Sequence, residues 1–215
     1  MNRFLPFLLA FVAFVGLAFL PANDLNVDPR PELAIGAAAP LADQAMKNVD
    51  GAMMSLASSK GEKGLLVVYS CNTCPFVVGN GEKSEGWEGR YNDLAKFAAR
   101  NDIGMVLVNS NEAKRGGDDS FEAMVAHAQK NRYAMPYLLD EKHKLADAFG
   151  ATKTPHVFLF DGALKLVYRG AIDDNVSRAK EVKEHYLRNA LTQLGKGAPI
   201  AQPETAAMGC SIKRQ

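Results

Sequence analysis

Cysteine is scarce in this chain: 215 residues hold three, Cys71, Cys74 and Cys210. Three thiols are too few for a disulfide scaffold, although an oxidising compartment can still close one pair and leave an odd thiol. They do not make a four-ligand zinc knuckle either. No second C-x-x-C follows the first, and His127, His143, His156 and His185 are scattered. An excess of either charge is also missing, with 25 Lys+Arg against 24 Asp+Glu. That balance argues against nucleic acid or an anionic membrane surface as the main partner. Internal repeats and low-complexity blocks are absent. Only one long hydrophobic run occurs, from Phe4 to Leu20.

That run follows Arg3 and precedes Pro21-Ala22, the order of a secretory signal with Ala18 or Ala22 before the cut. The rival reading is an uncleaved membrane anchor, which Pro6 and the shortness of the run weaken. Either way the working part is expected outside the cytoplasm, in the periplasm or an equivalent space. Loss of residues 1–22 would leave 24 Lys+Arg against 24 Asp+Glu. The rest of the chain has the composition of a globular protein, 47% hydrophobic and 23% charged. The expected layout is a linker over 23–35, one domain over 36–196, and a flexible tail over 197–215 that carries Cys210.

Within the domain, Asp50-Gly51 between short apolar segments signals a hairpin. "GLLVVYS" (64–70) and "IGMVLVNS" (103–110) are continuous apolar runs, as expected of strands buried on both faces. After Cys74 a helix is predicted to about Arg100, interrupted near Gly79–Gly86, with Trp87, Tyr91, Leu94 and Phe97 on one stripe. Asp118, Asp119 or Ser120 is placed to cap a helix over 121–132. "MPYLLD" is predicted to be extended, and "EKHKLADAFG" to be a helix ending at Gly150. "HVFLFDGALKLVYRG" is the clearest hairpin, turning at Asp161-Gly162, and a last helix is predicted over 178–195. Strands alternating with helices and ending in an antiparallel hairpin give a three-layer α/β/α domain with a mixed sheet.

Cys71 and Cys74 carry the chemistry. A C-x-x-C between a buried strand and a helix puts both sulfurs at a helix N-terminus, where the dipole and free N–H groups favour a thiolate. The small ring it closes suits a reversible disulfide better than a structural staple. Pro75 fits the first helical turn and places Cys74 at or just before it. Thr154-Pro155 precedes a strand; by local sequence alone it is an ordinary trans bond. Asp173 and Asp174 read as a helix-capping turn, and Trp87, Met105 and Met135 as core. His156 reads as a packed or solvent-edge side chain, and Arg169 as a surface strand residue.

The order of C-x-x-C, strand, helix, Thr-Pro, hairpin and final helix resembles the thioredoxin fold. Together "SCNTCPFV", "VLVNSNEA", "MPYLLDE", "ATKTPHVFLFD", "LVYRGAIDD" and "MGCSIK" are similar to bacterial peroxiredoxin-like redoxins, the AhpC/TSA-related group. The resemblance runs from about Gly36 to Lys213. It implies a thioredoxin-like sandwich with an N-terminal β-hairpin extension and a cis bond before Pro155. It also implies that Thr154 and Pro155 help dock the substrate chain. Members of the group often carry a cysteine just before Thr-Pro; here Lys153 stands there.

The resemblance leaves the reaction open. Peroxide-reactive members place Thr or Ser three residues before the reactive cysteine, with proline after it and an activating Arg near the Thr-Pro position. Cys74 has Pro75, but Cys71 stands at minus three and Thr154-Pro155-His156 holds no Arg. The expected activity is therefore thiol–disulfide exchange, with Cys71 as the exposed attacking thiolate and Cys74 resolving. The alternatives are a thiol-dependent peroxidase and a non-enzymatic copper carrier using Cys71, Cys74 and His156. Cys210 is either a structural tail thiol or a resolving thiol. No cofactor or resident metal is expected. Expected partners are protein or small-molecule thiols and disulfides, hydroperoxides under the second alternative, and a redox partner protein; the membrane enters only through an uncleaved N-terminal segment.

Overall fold

The computed structural model describes Met1 and residues 30–215. The leader expected over 1–22 and the linker as far as residue 29 lie outside the described residues. Strands β1 (Met46–Asn48) and β2 (Met53–Met54) form the hairpin expected at Asp50-Gly51, and α1 (Leu56–Ser59) follows under a Ser55–Ser58 capping box. Next come β3 (Gly64–Tyr69), the one-turn helix α2 (Pro75–Val78), α3 (Tyr91–Ala99) and β4 (Ile103–Asn109). The second half holds α4 (Phe121–Asn131), β5 (Tyr137–Leu139), α5 (Lys144–Phe149), β6 (Lys153–Thr154), β7 (His156–Asp161) and β8 (Leu166–Gly170). Helix α6 (Tyr186–Gly195) and β9 (Cys210–Ser211) end the chain.

Seven strands form one mixed sheet in the order β2-β1-β5-β4-β3-β7-β8, while β6 and β9 pair separately. Central β3 runs parallel to β4 and antiparallel to β7, and all six of its residues are buried. Alternation splits its side chains between two cores. Leu66 and Val68 face the layer of α3, α4 and α6; Leu65, Val67 and Tyr69 face the layer of α1 and α5. Each fully buried Leu or Val contributes about 2 kcal/mol against exposure, so a strand buried on both faces anchors both layers. The result is the thioredoxin-like three-layer sandwich, with the β1–β2 hairpin extending the sheet beyond β5.

Three helices are shorter than their sequence pattern; one, expected from Glu141, is α5 starting at Lys144 after a 3₁₀ turn in which Lys142 and His143 are left-handed. The helix expected from Cys74 to Arg100 is broken into α2, two 3₁₀ turns and α3. Gly79, at φ 81, ends the first turn, a conformation open to glycine and costly for other residues. The last helix starts at Tyr186 rather than near residue 178. Asn175 Oδ1 accepts the N–H groups of Ser177 and Arg178, and Asp174 Oδ1 accepts that of Lys183. These side chains compete with the helical ladder for its donors.

Two further expectations are corrected. Asp173 is not only a turn residue: it is buried and accepts hydrogen bonds from Trp87 Nε1 (2.8 Å) and Arg90 Nη1 (2.6 Å to Oδ2). The tail is not flexible in this structure, because Ile212 is buried and Arg214 pairs with Asp147 at 2.8 Å. Among the described residues no helix is long and apolar enough to cross a membrane.

Asp173→Ala strands the Arg90 charge and the Trp87 N–H inside the protein. It is expected to destabilise the domain by roughly 3 kcal/mol, measured by urea unfolding. A loss under about 0.5 kcal/mol, the range of an ordinary surface substitution, would mean that the pair adds nothing.

Candidate active site

The central strand delivers the cysteines. Tyr69 at the end of β3 pairs with His156 at the start of β7, so the chain leaves the sheet beside Thr154-Pro155. The Thr154-Pro155 bond is cis, as the resemblance implied. The loop after β3 then turns into α2, with Cys74 as its N-cap residue and Pro75 in its first turn. All three cysteines are free thiols. Cys71, Cys74, Thr154, Cys210, Lys114 and Lys213 are among the residues lining a cleft of about 250 Å³.

The sulfurs lie against one another and against Thr154. Cys71 Sγ is 3.5 Å from Thr154 Oγ1, and Cys74 Sγ is 3.0 Å from the Thr154 carbonyl oxygen. The Cys71 S–H, donating to the Cys74 sulfur, is the main cause that lowers the Cys74 pKa to about 5, against the opposing effect of burial. The side chain and backbone N–H of Cys210 add to it. The same hydrogen bond to Cys74, reinforced by burial, raises the pKa of Cys71 far above the ordinary thiol range. The Thr154 carbonyl pulls the other way, since at 3.0 Å it suits a protonated Cys74. Several donors oppose this single acceptor, so the pair shares one proton and Cys74 is the thiolate.

Two sequence expectations change here. Cys71 is not the more exposed sulfur, being 2% exposed against 4% for Cys74. The helix dipole is also a minor cause of acidity, because α2 has only four residues and dipole effects need a longer stack of aligned peptides. The neighbouring thiols take over that role.

Beneath Cys71 lies a polar cluster that sequence reasoning missed. Buried Asp119 accepts the Asn72 N–H (2.9 Å), Asn109 Nδ2 (2.7 Å) and Asn111 Nδ2 (2.9 Å). Tyr137 donates its hydroxyl to Asn72 Oδ1 at 3.0 Å, which fixes the first residue between the cysteines. Asp119 read as a candidate helix cap, but Ser120 takes that role by accepting the Ala123 N–H. The available signal was three asparagines beside the two loops, Asn72, Asn109 and Asn111, whose amides need a buried acceptor.

The remaining candidates divide. Cys210 joins the cleft, where Thr154 pairs with it across β6 and β9. His156 does not join. It is buried against Phe158, with its Nδ1 3.5 Å from the Thr152 N–H, and burial is the first cause that lowers its pKa to about 3. The copper reading needed His156 beside the thiols, and among the described residues no group of three or more His, Cys, Asp or Glu is arranged to hold a metal. Arg169 reaches Leu33 O at 2.8 Å and pairs with Glu32 and Glu204.

The redoxin family model matches residues 34–184 of this chain. The chain belongs to the redoxin family. This redoxin is similar to a solved, uncharacterized conserved protein from Geobacillus kaustophilus, with 33% identity over 85% of this chain and 93% of that one and a TM-score of 0.75. At lower identity its fold matches the peroxidoxin BcpB from Mycobacterium tuberculosis (15%, 76% and 97% covered, TM-score 0.52). It also matches a putative protein disulfide isomerase from Bacteroides thetaiotaomicron (17%, 76% and 91% covered, TM-score 0.53). No curated protein matches the redoxin significantly. Family membership makes it a thiol redox protein, with thiols or peroxides as its general class of substrate.

The acid form of Cys74 gives way to thiolate as pH rises through about 5. Iodoacetamide labelling of Cys74 is therefore expected to be flat from pH 6 to 8, where an ordinary thiol gains rate steadily. Cys71→Ala removes the main donor, and labelling at pH 6 is expected to fall about tenfold. An unchanged profile in that variant would show that Cys71 does not set the acidity.

Proposed function

We propose that this redoxin catalyses thiol–disulfide exchange through Cys71 and Cys74, in the periplasm or an equivalent extracytoplasmic space. The observation that carries the reading is the placement of two free thiols, Cys71 and Cys74, both against Thr154 and beside cis-Pro155. The Cys74 thiolate attacks a substrate disulfide and forms a mixed disulfide, and one substrate thiolate departs. Cys71 then attacks Cys74, its proton leaves for solvent or substrate, and the second substrate thiol departs. The Cys71–Cys74 disulfide is left for a redox partner to reduce. Attack by Cys74 reverses the roles expected from the motif alone. The extracytoplasmic location is supported by the Arg3-led apolar segment before Pro21-Ala22.

The peroxidase alternative is favoured by one feature, the acidic Cys74 followed directly by Pro75. The groups lining the cleft weigh against it: no arginine is among them, and Lys114 and Lys213 are its cations. Exchange needs only a second thiol within reach, which Cys71 supplies.

Reduction of insulin or glutathione disulfide, with a coupled reductant, tests the reading. Cys74→Ser is expected to lose more than about a hundredfold in rate, and the double variant Cys71→Ser/Cys210→Ser to accumulate a mixed disulfide visible by mass spectrometry. Equal activity in both variants and wild type would sink the exchange mechanism, and rapid hydroperoxide consumption by Cys71→Ser would favour the peroxidase instead.

A further inference from the structure

The dithiol is covered by the chain's own C-terminal segment. It is fastened upstream where Thr205 Oγ1 accepts the Ala171 N–H at 2.9 Å. Downstream, the Lys213 N–H reaches Asn111 Oδ1 at 2.9 Å and Arg214 holds Asp147. Between these points Cys210 and Ser211 pair antiparallel with Thr154 and Lys153, the residues leading into cis-Pro155.

We propose that this strap is a tethered stand-in for a substrate chain. The Lys153–Thr154 backbone is then the docking edge for an extended, cysteine-bearing polypeptide, and Cys210 occupies the place of that polypeptide's cysteine. The inference rests on the exchange reading of Cys71 and Cys74.

Four observations lead to it. The β6 edge belongs to no larger sheet, and its strand partner among the described residues is β9. A chain bringing a sulfur to Cys74 meets this edge first, because Cys74 Sγ already contacts the Thr154 carbonyl oxygen. Cys210 lines the same cleft as Cys71, Cys74 and Thr154 and pairs with Thr154, so a sulfur already stands on the approach to Cys74. Finally, a Cβ at Gly209 would lie 2.3 Å from the Thr154 carbonyl oxygen. The strap seats so closely that only glycine fits before the cysteine. Ile212, two residues on, shares the inward face and is buried in the α1–α5 core. The partner that fits is therefore an extended segment with a small residue before its cysteine and an aliphatic residue two positions after it.

The chemistry balances with a substrate disulfide as oxidant. The Cys74 thiolate attacks, the Cys74–substrate bond forms, and the substrate S–S bond breaks to release a thiolate that takes up a proton. A docked partner cysteine is then expelled as a thiol when Cys71, losing its own proton, closes the Cys71–Cys74 bond. With the strap in place Cys210 can attack the mixed disulfide instead, losing its proton, closing Cys74–Cys210 and releasing the substrate thiol.

The test uses the full chain and two probes, glutathione disulfide and a disulfide-linked dimer of a peptide copying residues 206–213. Gly209→Ala forces the strap off the edge and removes a seat of two paired residues. Loss of the Cys210 donors affects both probes alike, so the reading is the ratio of kcat/KM for the peptide dimer to that for glutathione disulfide, which is expected to rise about fivefold or more. In Cys71→Ser, diamide is expected to close a Cys74–Cys210 bond, found as a cross-linked peptide by non-reducing mass spectrometry. An unchanged or lower peptide-to-glutathione ratio in Gly209→Ala, with glutathione disulfide still turned over, overturns the proposal, as does a missing Cys74–Cys210 cross-link. Failure of the wild type to reduce either probe overturns the underlying exchange reading instead, and the cross-link then still judges the strap by itself.

Discussion

Everything at this site depends on the register between β3 and β7. Tyr69 lies opposite His156, so the chain leaving β3 meets the chain entering β7, and Cys71 arrives beside Thr154. One residue of slip would turn every side chain of β3 to the wrong face and exchange its two cores. That outcome is barred because Leu66 and Val68 fill one core while Leu65, Val67 and Tyr69 fill the other. The chemistry is thus positioned by apolar packing far larger in free energy than any bond within the site.

Proton sharing follows from that placement. Two thiols in a buried loop cannot both ionise at moderate cost, since burial disfavours each thiolate. A single negative charge on one sulfur, held by the hydrogen of the other, is the economical arrangement. The sulfur receiving additional donors keeps the charge, and Cys210 supplies these to Cys74. Three sulfurs rather than two therefore line the cleft.

Much of this was legible in the sequence, for identifiable reasons. The runs 64–70 and 103–110 announce buried strands because period and composition agree, and Asp50-Gly51 and Asp161-Gly162 mark hairpins by local backbone preference. Cys71, Cys74, Thr154 and Pro155 form a recognisable order, and they meet in space. What escaped depends on long-range contact. Asp119 lies 47 residues from the Asn72 N–H it accepts, and nothing local separates it from the helix cap next door. Ordering of residues 204–214 was equally invisible, since it relies on Ile212 entering a core built from α1 and α5 and on Arg214 meeting Asp147. The polarity of the dithiol was misjudged in part because Cys210, which contributes to it, sits 136 positions from Cys74 in the chain.

Trp87 is the chain's single tryptophan, and its indole is locked to Asp173 while its backbone N–H bonds the carbonyl of Phe76. Phe76 lies two residues after Cys74, in the one helical turn whose geometry a disulfide would pull upon. Indole emission from this protein thus has one origin, and that origin is joined by a backbone hydrogen bond to the helical turn that follows Cys74. A change at that turn is therefore reported by a single indole.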